Sequence, residues 1–398
     1  MKALAVNAGS STLKVSLYKL APGVSLATPP ASLWQRTLTW GPGAAQDHPA
    51  AQLLRELWQG PEAPLAGPDE IDVVGHRVVH GGTRYASPIA ISDGVRQEIA
   101  ALAAQAPLHN LAALSAVEAV ERAIGPGTPQ VAVFDTAFHA HLPAPAYTYA
   151  GPHEWSDAGL RRFGFHGINH EYVTHRAAHI LNHDVEGLRL VSCHLGSGAS
   201  LAAVRHGRSV DTTMGFTPLD GLAMATRSGS VDPGLLLHLL RSGDTSPDEL
   251  HEVLNRGSGL AGLSGTSGDL RDVLAAREQG DPRARLAFDV YVHRLRRCIG
   301  AMLPSLGGLD AIAFTGGVGE HSPTVRREAL DPFRFMGVNV DGTANEASTF
   351  DDVDIATSRS RVRVLVIAAR EEWAIARSAG EVLTAGSVER SPGAPLTH

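Results

Sequence analysis

Three short apolar runs in this 398-residue chain end in clusters of small residues. They read Val6-Asn7-Ala8-Gly9-Ser10-Ser11-Thr12, His194-Leu195-Gly196-Ser197-Gly198-Ala199-Ser200 and Phe314-Thr315-Gly316-Gly317-Val318-Gly319-Glu320. A strand that ends in such residues lets backbone N–H groups approach a phosphate closely, because no Cβ stands in the way. Three such turns, with Lys14 just past the first, point to a polyphosphate held between two lobes. Lysine occurs only at Lys2, Lys14 and Lys19, so arginine is the default cation here. A lysine kept beside a phosphate turn fits a site wanting a compact point charge; a regional bias near the N-terminus explains it equally well.

Other residues raise the same choice between chemistry and structure. Arg77 lies inside the apolar run Val73–Val79, where an unpaired charge is costly. It either forms a salt bridge with an acid on a neighbouring strand or receives a carboxylate or phosphate as a fork. Arg227, in Met224-Ala225-Thr226-Arg227-Ser228-Gly229, poses that question again. His166 sits between Gly164 and Gly167, which suggests close packing against it or a plain turn. Asp135 at a strand end and Glu371 at a strand-to-helix junction are candidate Mg²⁺ anchors, or else helix caps and salt-bridge partners.

Several familiar signatures fail. No Gly-Lys dipeptide occurs, which excludes a Walker A loop. Gly257-Ser258-Gly259-Leu260-Ala261-Gly262 has G-x-G-x-x-G spacing, but a helical pattern rather than a strand precedes it. In His170-Glu171-Tyr172-Val173-Thr174-His175 the second histidine falls one residue too late for a zinc-protease helix. The formal charge of -7 and the lack of a long basic run argue against nucleic acid. Two cysteines, Cys193 and Cys298, cannot build a disulfide framework and read as buried thiols. No apolar segment is long enough to span a bilayer, and the first apolar stretch breaks at Asn7, so the expected compartment is the cytoplasm.

The elements that must position these groups alternate between strand and helix. Strands are expected at 3–7 and 13–18, and the strand–turn–strand plan recurs at 189–195 and 200–204. Further strands are expected at 71–79, 131–134 and 361–368. Helices are expected at 93–105 and 110–124, joined through Pro107-Leu108-His109, and at 168–182, 233–241, 247–255, 282–301, 323–330 and 371–385. The repeated unit suggests a duplicated, two-lobed α/β protein.

Taken together, these segments resemble the acetate kinase (acetokinase) family, which also includes propionate and butyrate kinases. The pieces run in order through Asn7–Ser11, Gly75–Gly82, Leu108-His109-Asn110, Phe134–His139, Arg162–Gly167, His194–Ser200, Asp211–Leu219 through Arg227–Gly229, Asp269–Arg271 and Phe314–Glu320. The resemblance implies two duplicated lobes of the actin, sugar-kinase and chaperone-ATPase type, with nucleotide in the interlobe cleft. An N-terminal lobe would cover 1–140 with a C-terminal helix at 372–390. A nucleotide-binding and dimerisation lobe would cover 141–371, and 391–398 would be a disordered tail.

The implied reaction is reversible, Mg²⁺-dependent, in-line transfer of the ATP γ-phosphoryl group to acetate, giving acetyl phosphate and ADP. Mn²⁺ is the other candidate metal, and a homodimer paired through the C-terminal lobe is the expected assembly. By resemblance Asn7 and Glu371 serve the metal, while Ser10 and Lys14 lie near the nucleotide phosphates. His194, Leu195, Gly196, Ser197 and Gly198 form the second phosphate turn. Asp269, Leu270 and Arg271, with Gly316, Gly317, Val318, Gly319 and Glu320, hold the adenosine. Arg77 takes the acyl carboxylate; Val79, Leu108, Phe165 and Pro218 wall the acyl methyl; Asp135, His166 and Arg227 serve the phosphoryl group in flight.

This chain departs from the family pattern in places. Ser197 replaces the usual asparagine, and Ala368-Ala369-Arg370-Glu371-Glu372 replaces Pro-Thr-Asn-Glu-Glu, which makes Arg370 a competing partner for Glu371. Asp220, Gly268 and His321 replace a glutamate, a serine and an asparagine. Propionate or butyrate kinase activity remains an alternative. A sugar kinase would not need two arginines for an anion, and a nucleotide-switched protein of the actin or chaperone kind would not need a small acyl pocket.

Overall fold

The structure, a computed structural model, describes residues 1–9, 12–39, 47–104, 107–243, 245–347 and 352–389. The tail expected at 391–398 lies outside the described residues. By contact the chain forms two compact units. One comprises Met1–Ala140, Gly167–Tyr172 and the chain from Arg370; the other comprises His141–His166 and Val173–Ala369.

The first unit is built on a six-stranded sheet. β1 (Lys2–Ala8) and β2 (Thr12–Lys19) pair antiparallel across the first small-residue turn, from Lys2↔Lys19 to Ala8↔Leu13. β3 (Trp34–Thr39) extends the sheet at an edge. Its mostly exposed side chains give no apolar alternation, which is why the sequence did not announce it. β4 (Val73–Val78) lies parallel to β1, β5 (Ile89–Ala90) is a short antiparallel edge, and β6 (Gln130–Phe134) runs parallel to β4. The order is β3-β2-β1-β4-β6-β5.

Leu4, Val6 and Leu17 pack with Leu53, Leu54, Leu57 and Val120 in one apolar cluster. The helix carrying Val120 spans Pro107–Ile124, so the expected joint at Pro107-Leu108-His109 is its first turn. Proline suits that position because the N–H it lacks would have no partner there. The C-terminal helix, Glu371–Glu389, packs with Trp373 and Ile375 fully buried. It approaches β4 so closely that a Cβ at Gly75 would stand 2.9 Å from the Ile375 carbonyl oxygen.

A second six-stranded sheet forms the other unit. β7 (Arg189–Leu195) and β8 (Ala199–Arg205) pair from Arg189↔Arg205 to Leu195↔Ala199, and β9 (Arg208–Thr212) follows antiparallel with a bulge. β10 (Ala311–Thr315) lies parallel to β7, β11 (Val353–Asp354) is an antiparallel edge, and β12 (Arg363–Val366) runs parallel to β10. The order β11-β12-β10-β7-β8-β9 is the first sheet's order read from the other end, with every parallel and antiparallel step matched. Two copies of one topology are therefore present.

A long helix, Pro282–Leu306, lines this unit's core with Phe288, Tyr291, Leu295 and Ile299. Asp281 caps it, accepting from the Arg283 and Ala284 N–H groups at 2.7 and 3.2 Å. The helix runs past the expected end at 301 and carries Pro304 in its last turn. Cys193 is buried as expected, but Cys298 is half-buried, and both are free thiols. The third glycine cluster is not an open turn: the chain enters a short helix, Gly316–His321, directly from β10.

Candidate active site

In the first unit three adjacent strands deliver polar groups at their ends. Val6 pairs with His76, and Val78 pairs with Phe134. Asn7, Arg77 and Asp135 therefore emerge side by side, where open α/β sheets bind ligands. Arg77 donates from Nε and Nη2 to Asp135 Oδ2 at 2.9 and 2.6 Å, and from Nη1 to Asn7 Oδ1 at 3.3 Å. The salt-bridge reading of Arg77 is thus realised, with Asp135 just past the neighbouring strand.

Asn7 Nδ2 donates to Glu371 Oε2 and Glu372 Oε1 at 2.9 and 3.0 Å. Both glutamates occupy the first turn of the C-terminal helix, where the helix dipole favours negative charge. Glu372 escaped the sequence reading; its adjacency to Glu371 was the available signal. Burial pushes the Asp135 carboxyl up to about 6, against the pull of Arg77 and with a further push from Glu371. Burial also disfavours the Arg77 charge, yet Asp135, Glu371 and Glu372 together raise its pKa above the ordinary arginine value. Asp135 is fully buried, and its Oδ1 has no hydrogen-bond partner among the described residues.

Lys14 pairs directly with Asn7 across β1 and β2, which puts both side chains on one face, and Lys14 is exposed. Arg370 is exposed and makes no ion pair among the described residues, so it does not compete for Glu371. Val79 is buried. Ser10 and the Leu108 side chain lie outside the described residues.

In the second unit the turn between β7 and β8 gathers the remaining groups. Arg227 and His166 both flank Gly198: a Cβ there would be in ordinary contact with Arg227 Nη1 at 3.4 Å and with His166 Cε1 and Nε2 at 3.5 Å. His166 adopts the left-handed backbone conformation, φ 58°, unusual for a residue with a side chain. Its Nδ1 lies 2.9 Å from Ser200 Oγ, and its ring stacks on His194 with centroids 4.3 Å apart. Arg227 Nη1 donates to the Pro218 carbonyl at 3.3 Å. Phe165 is buried beside His166 in the chain.

Next to this turn lies a cavity of about 700 Å³. Its walls include Gly196, Ser197, Asp269, Leu270, Arg271, Gly317 and Val318 from the expected nucleotide set. Gly268 and His321, two of the departures from the family pattern, also line it, and Ala225, Thr226, Leu260, Tyr291 and Ser322 join them unannounced. His194, Leu195, Gly198, Gly316, Gly319 and Glu320 are not on the wall. Glu320 instead accepts from the Ala369 N–H at 3.0 Å. Gly316 makes the arrangement possible: at φ +77°, a Cβ there would stand 2.8 Å from the Leu195 carbonyl oxygen. Buried Arg326 donates to the Gly319 and Glu320 carbonyls, both at 2.8 Å, and so holds the end of the helix that carries Gly317 and Val318.

The G-x-G-x-x-G match at 257–262 has a different role from dinucleotide binding. Ser258, Leu260 and Ala261 N–H groups donate to the Thr226, Met224 and Ala225 carbonyls at 2.9 Å each. A Cβ at Gly259 would stand 2.2 Å from the Met224 oxygen. These glycines let a helix start press on the loop that carries Arg227.

Comparison with known proteins now decides the family. The acetokinase family model matches residues 2–377. The chain belongs to the acetokinase family. It is 50% identical to an acetate kinase from Gloeobacter violaceus over 95% of this chain and 98% of that protein. It is 48% identical to one from Trichormus variabilis over 96% of this chain and all of that protein. Among solved structures it is similar to the acetate kinase of Porphyromonas gingivalis, with TM-score 0.85 and 36% identity over 96% and 99% of the two chains. A propionate kinase from Francisella tularensis gives 0.84 and 32% over the same shares. No helix among the described residues is long and apolar enough to cross a membrane.

Proposed function

We propose that this acetokinase transfers the γ-phosphoryl group of ATP to acetate, reversibly, giving acetyl phosphate and ADP. The carrying observation is that one turn serves two purposes. Gly196 and Ser197 wall the nucleotide-sized cavity, while Gly198 is the point that Arg227 and His166 both approach. A terminal phosphate lying on that turn meets two cationic or polar donors at once. A phosphoryl group in flight spreads charge over its equatorial oxygens, so positioned donors of this kind lower the barrier without a covalent step. An acetate oxygen attacks phosphorus as the bond to the ADP oxygen breaks. Arg77 holds the substrate carboxylate, with Asp135 fixing the guanidinium, and Val79, Leu108, Phe165 and Pro218 limit the acyl group.

A divalent metal fits the chemistry of Glu371 and Glu372. Magnesium commonly takes one or two carboxylates and fills its remaining positions with water and substrate phosphates. Glu371, with Glu372 beside it, would hold Mg²⁺ or Mn²⁺, which would neutralise phosphate charge. Asn7 would orient the two carboxylates, because its amide nitrogen faces them. A homodimer belongs to the same reading. The helix Pro233–Ser242 carries five leucines yet has no buried residue, and Leu235 and Leu237 are about half exposed, as a face awaiting a second copy would be. Light scattering should then give twice 41.9 kDa. The cytoplasm, where ATP is available, is the proposed location.

Trapping of acyl phosphate with hydroxylamine across acetate, propionate and butyrate, at fixed ATP and Mg²⁺, tests the reading. Hydroxamate should form fastest with acetate. ATP hydrolysis indifferent to all three acids would instead indicate a nucleotide-switched binding protein. Acetate and propionate should differ modestly, since one methylene in an apolar pocket is worth about 1–3 kcal/mol.

A further inference from the structure

The loop from Thr213 to Ser230 carries both Pro218 and Arg227, and one carboxylate ties it together at three points. Arg162 Nη1 donates to the Thr213 and Met214 carbonyls at 2.9 and 2.8 Å and to Asp220 Oδ2 at 3.2 Å. Asp220 Oδ1 accepts from its neighbour's N–H, Gly221, at 2.9 Å and from Ser230 Oγ at 2.6 Å. The Ser230 hydroxyl oxygen also accepts from the Gly221 N–H at 3.0 Å. Asp220 thus links the start of the loop, its midpoint and its end.

Crowding leaves little freedom around this knot. A Cβ at Gly215 would stand 2.7 Å from Asp220 Oδ2 and 2.4 Å from the Tyr149 hydroxyl. A Cβ at Gly229, φ +68°, would stand 2.3 Å from the Leu222 carbonyl. Pro218, two residues before Asp220, gives its carbonyl to Arg227, three residues before Ser230. The Asp220–Ser230 bond therefore closes a loop that contains Arg227, and the Pro218 oxygen that aims its guanidinium lies two residues before the start of that loop.

We propose that Arg162, Asp220 and Ser230 are positioning residues that set the direction of the Arg227 guanidinium through the Pro218 carbonyl. This rests on the reading of Arg227 as a phosphoryl-binding group. The ion pair does no chemistry itself. It holds the donor where charge appears only in the transition state, so its loss should show in kcat rather than in nucleotide binding.

The test is a kinetic cycle on the full-length protein with ATP, acetate and Mg²⁺. Asp220→Asn should lower kcat about 10- to 100-fold, the scale of an ångström-sized misplacement, while KM for ATP stays within about twofold. Asp220→Glu, which restores the charge and is the residue usual in the family, should recover most of the rate. Ser230→Ala, at an exposed position, should give a smaller loss in the same direction and stands in if Asp220→Asn does not fold. In an Arg227→Ala background Asp220→Asn should cost almost nothing further. Independent, multiplying losses, an equal loss in KM for ATP, or full activity of both Asp220→Asn and Ser230→Ala would overturn the proposal. If Arg227→Ala alone keeps the parent rate, the catalytic reading of Arg227 fails instead.

Discussion

In the first sheet β1, β4 and β6 end beside Asn7, Arg77 and Asp135, while in the second the topologically matching β7, β10 and β12 end near His194, Gly316 and Ile367. The strand order is the same, so the difference lies in what the strand ends carry. One sheet buries a charge pair and anchors two glutamates; the other opens on glycines and a cavity. A duplicated scaffold thus presents charged groups at the strand ends of one copy and a cavity beside those of the other, and the proposed function assigns the nucleotide to that cavity. The two are tolerated differently: Arg77 offsets the buried Asp135 charge at the first sheet's strand ends, and glycines at the second, Gly316 above all, let backbone pack where a Cβ would not fit.

The largest expected effect comes from breaking the first arrangement. Arg77→Ala leaves the fully buried Asp135 carboxylate without its partner. The cost of one orphaned buried charge should be about 3–5 kcal/mol in urea unfolding, with activity lost as well. Adding Asp135→Asn should recover part of that stability without recovering activity. Should Arg77→Ala unfold at the parent urea concentration, the two sheets would not differ in the way proposed.

The pH dependence of stability sharpens the same contrast. His76, on β4 next to Arg77, is fully buried, and burial pushes its pKa down to about 4 from an ordinary 6.5, with Gln130 opposing and Arg96 assisting. The folded protein therefore binds fewer protons than the unfolded chain between those values. Its contribution is complete above about pH 6.5 and is lost as pH falls toward 4, amounting to about 3 kcal/mol. His76→Gln should flatten the fall of the thermal midpoint across that window. An unchanged slope would show that other groups govern it.

Much of this was legible in the chain. The hairpins on either side of the first two small-residue turns fell where apolar alternation placed them, and their repetition already suggested duplication. The matched strand order was not legible, because it depends on long-range pairing and on β3, β5, β9 and β11, whose short or exposed runs carry little periodicity. Arg77 and Asp135 stood out singly, but only the parallel register of β4 and β6 joins them. Asp220 read as a mild replacement of glutamate; its three-way tie needs the fold. The glycines at 257–262 looked like a dinucleotide signature because close backbone approach requires the same residues whatever it approaches.

The finest test concerns equivalent positions in the two sheets. Ala8 and Leu195 close the matching hairpins, and continuing the registers past them brings Val78 in one sheet and Gly316 in the other to equivalent places. Val78 continues its strand and is buried there with a branched side chain. Gly316 instead turns into a helix at φ +77°, against the Leu195 carbonyl. Gly316→Ala should introduce strain of about 1–3 kcal/mol. Gly317 and Val318 stand on the cavity wall immediately after it. KM for ATP should accordingly rise about tenfold, the equivalent of 1.4 kcal/mol, while KM for acetate stays within twofold. Val78→Ala, at the equivalent place in the first sheet, should lower stability through lost packing and leave KM for ATP unchanged. If both variants moved KM for ATP alike, the division of labour between the sheets would not hold. A rise confined to Gly316→Ala would place nucleotide recognition on the second copy, at a position where its backbone could not be built from any residue that has a side chain without strain.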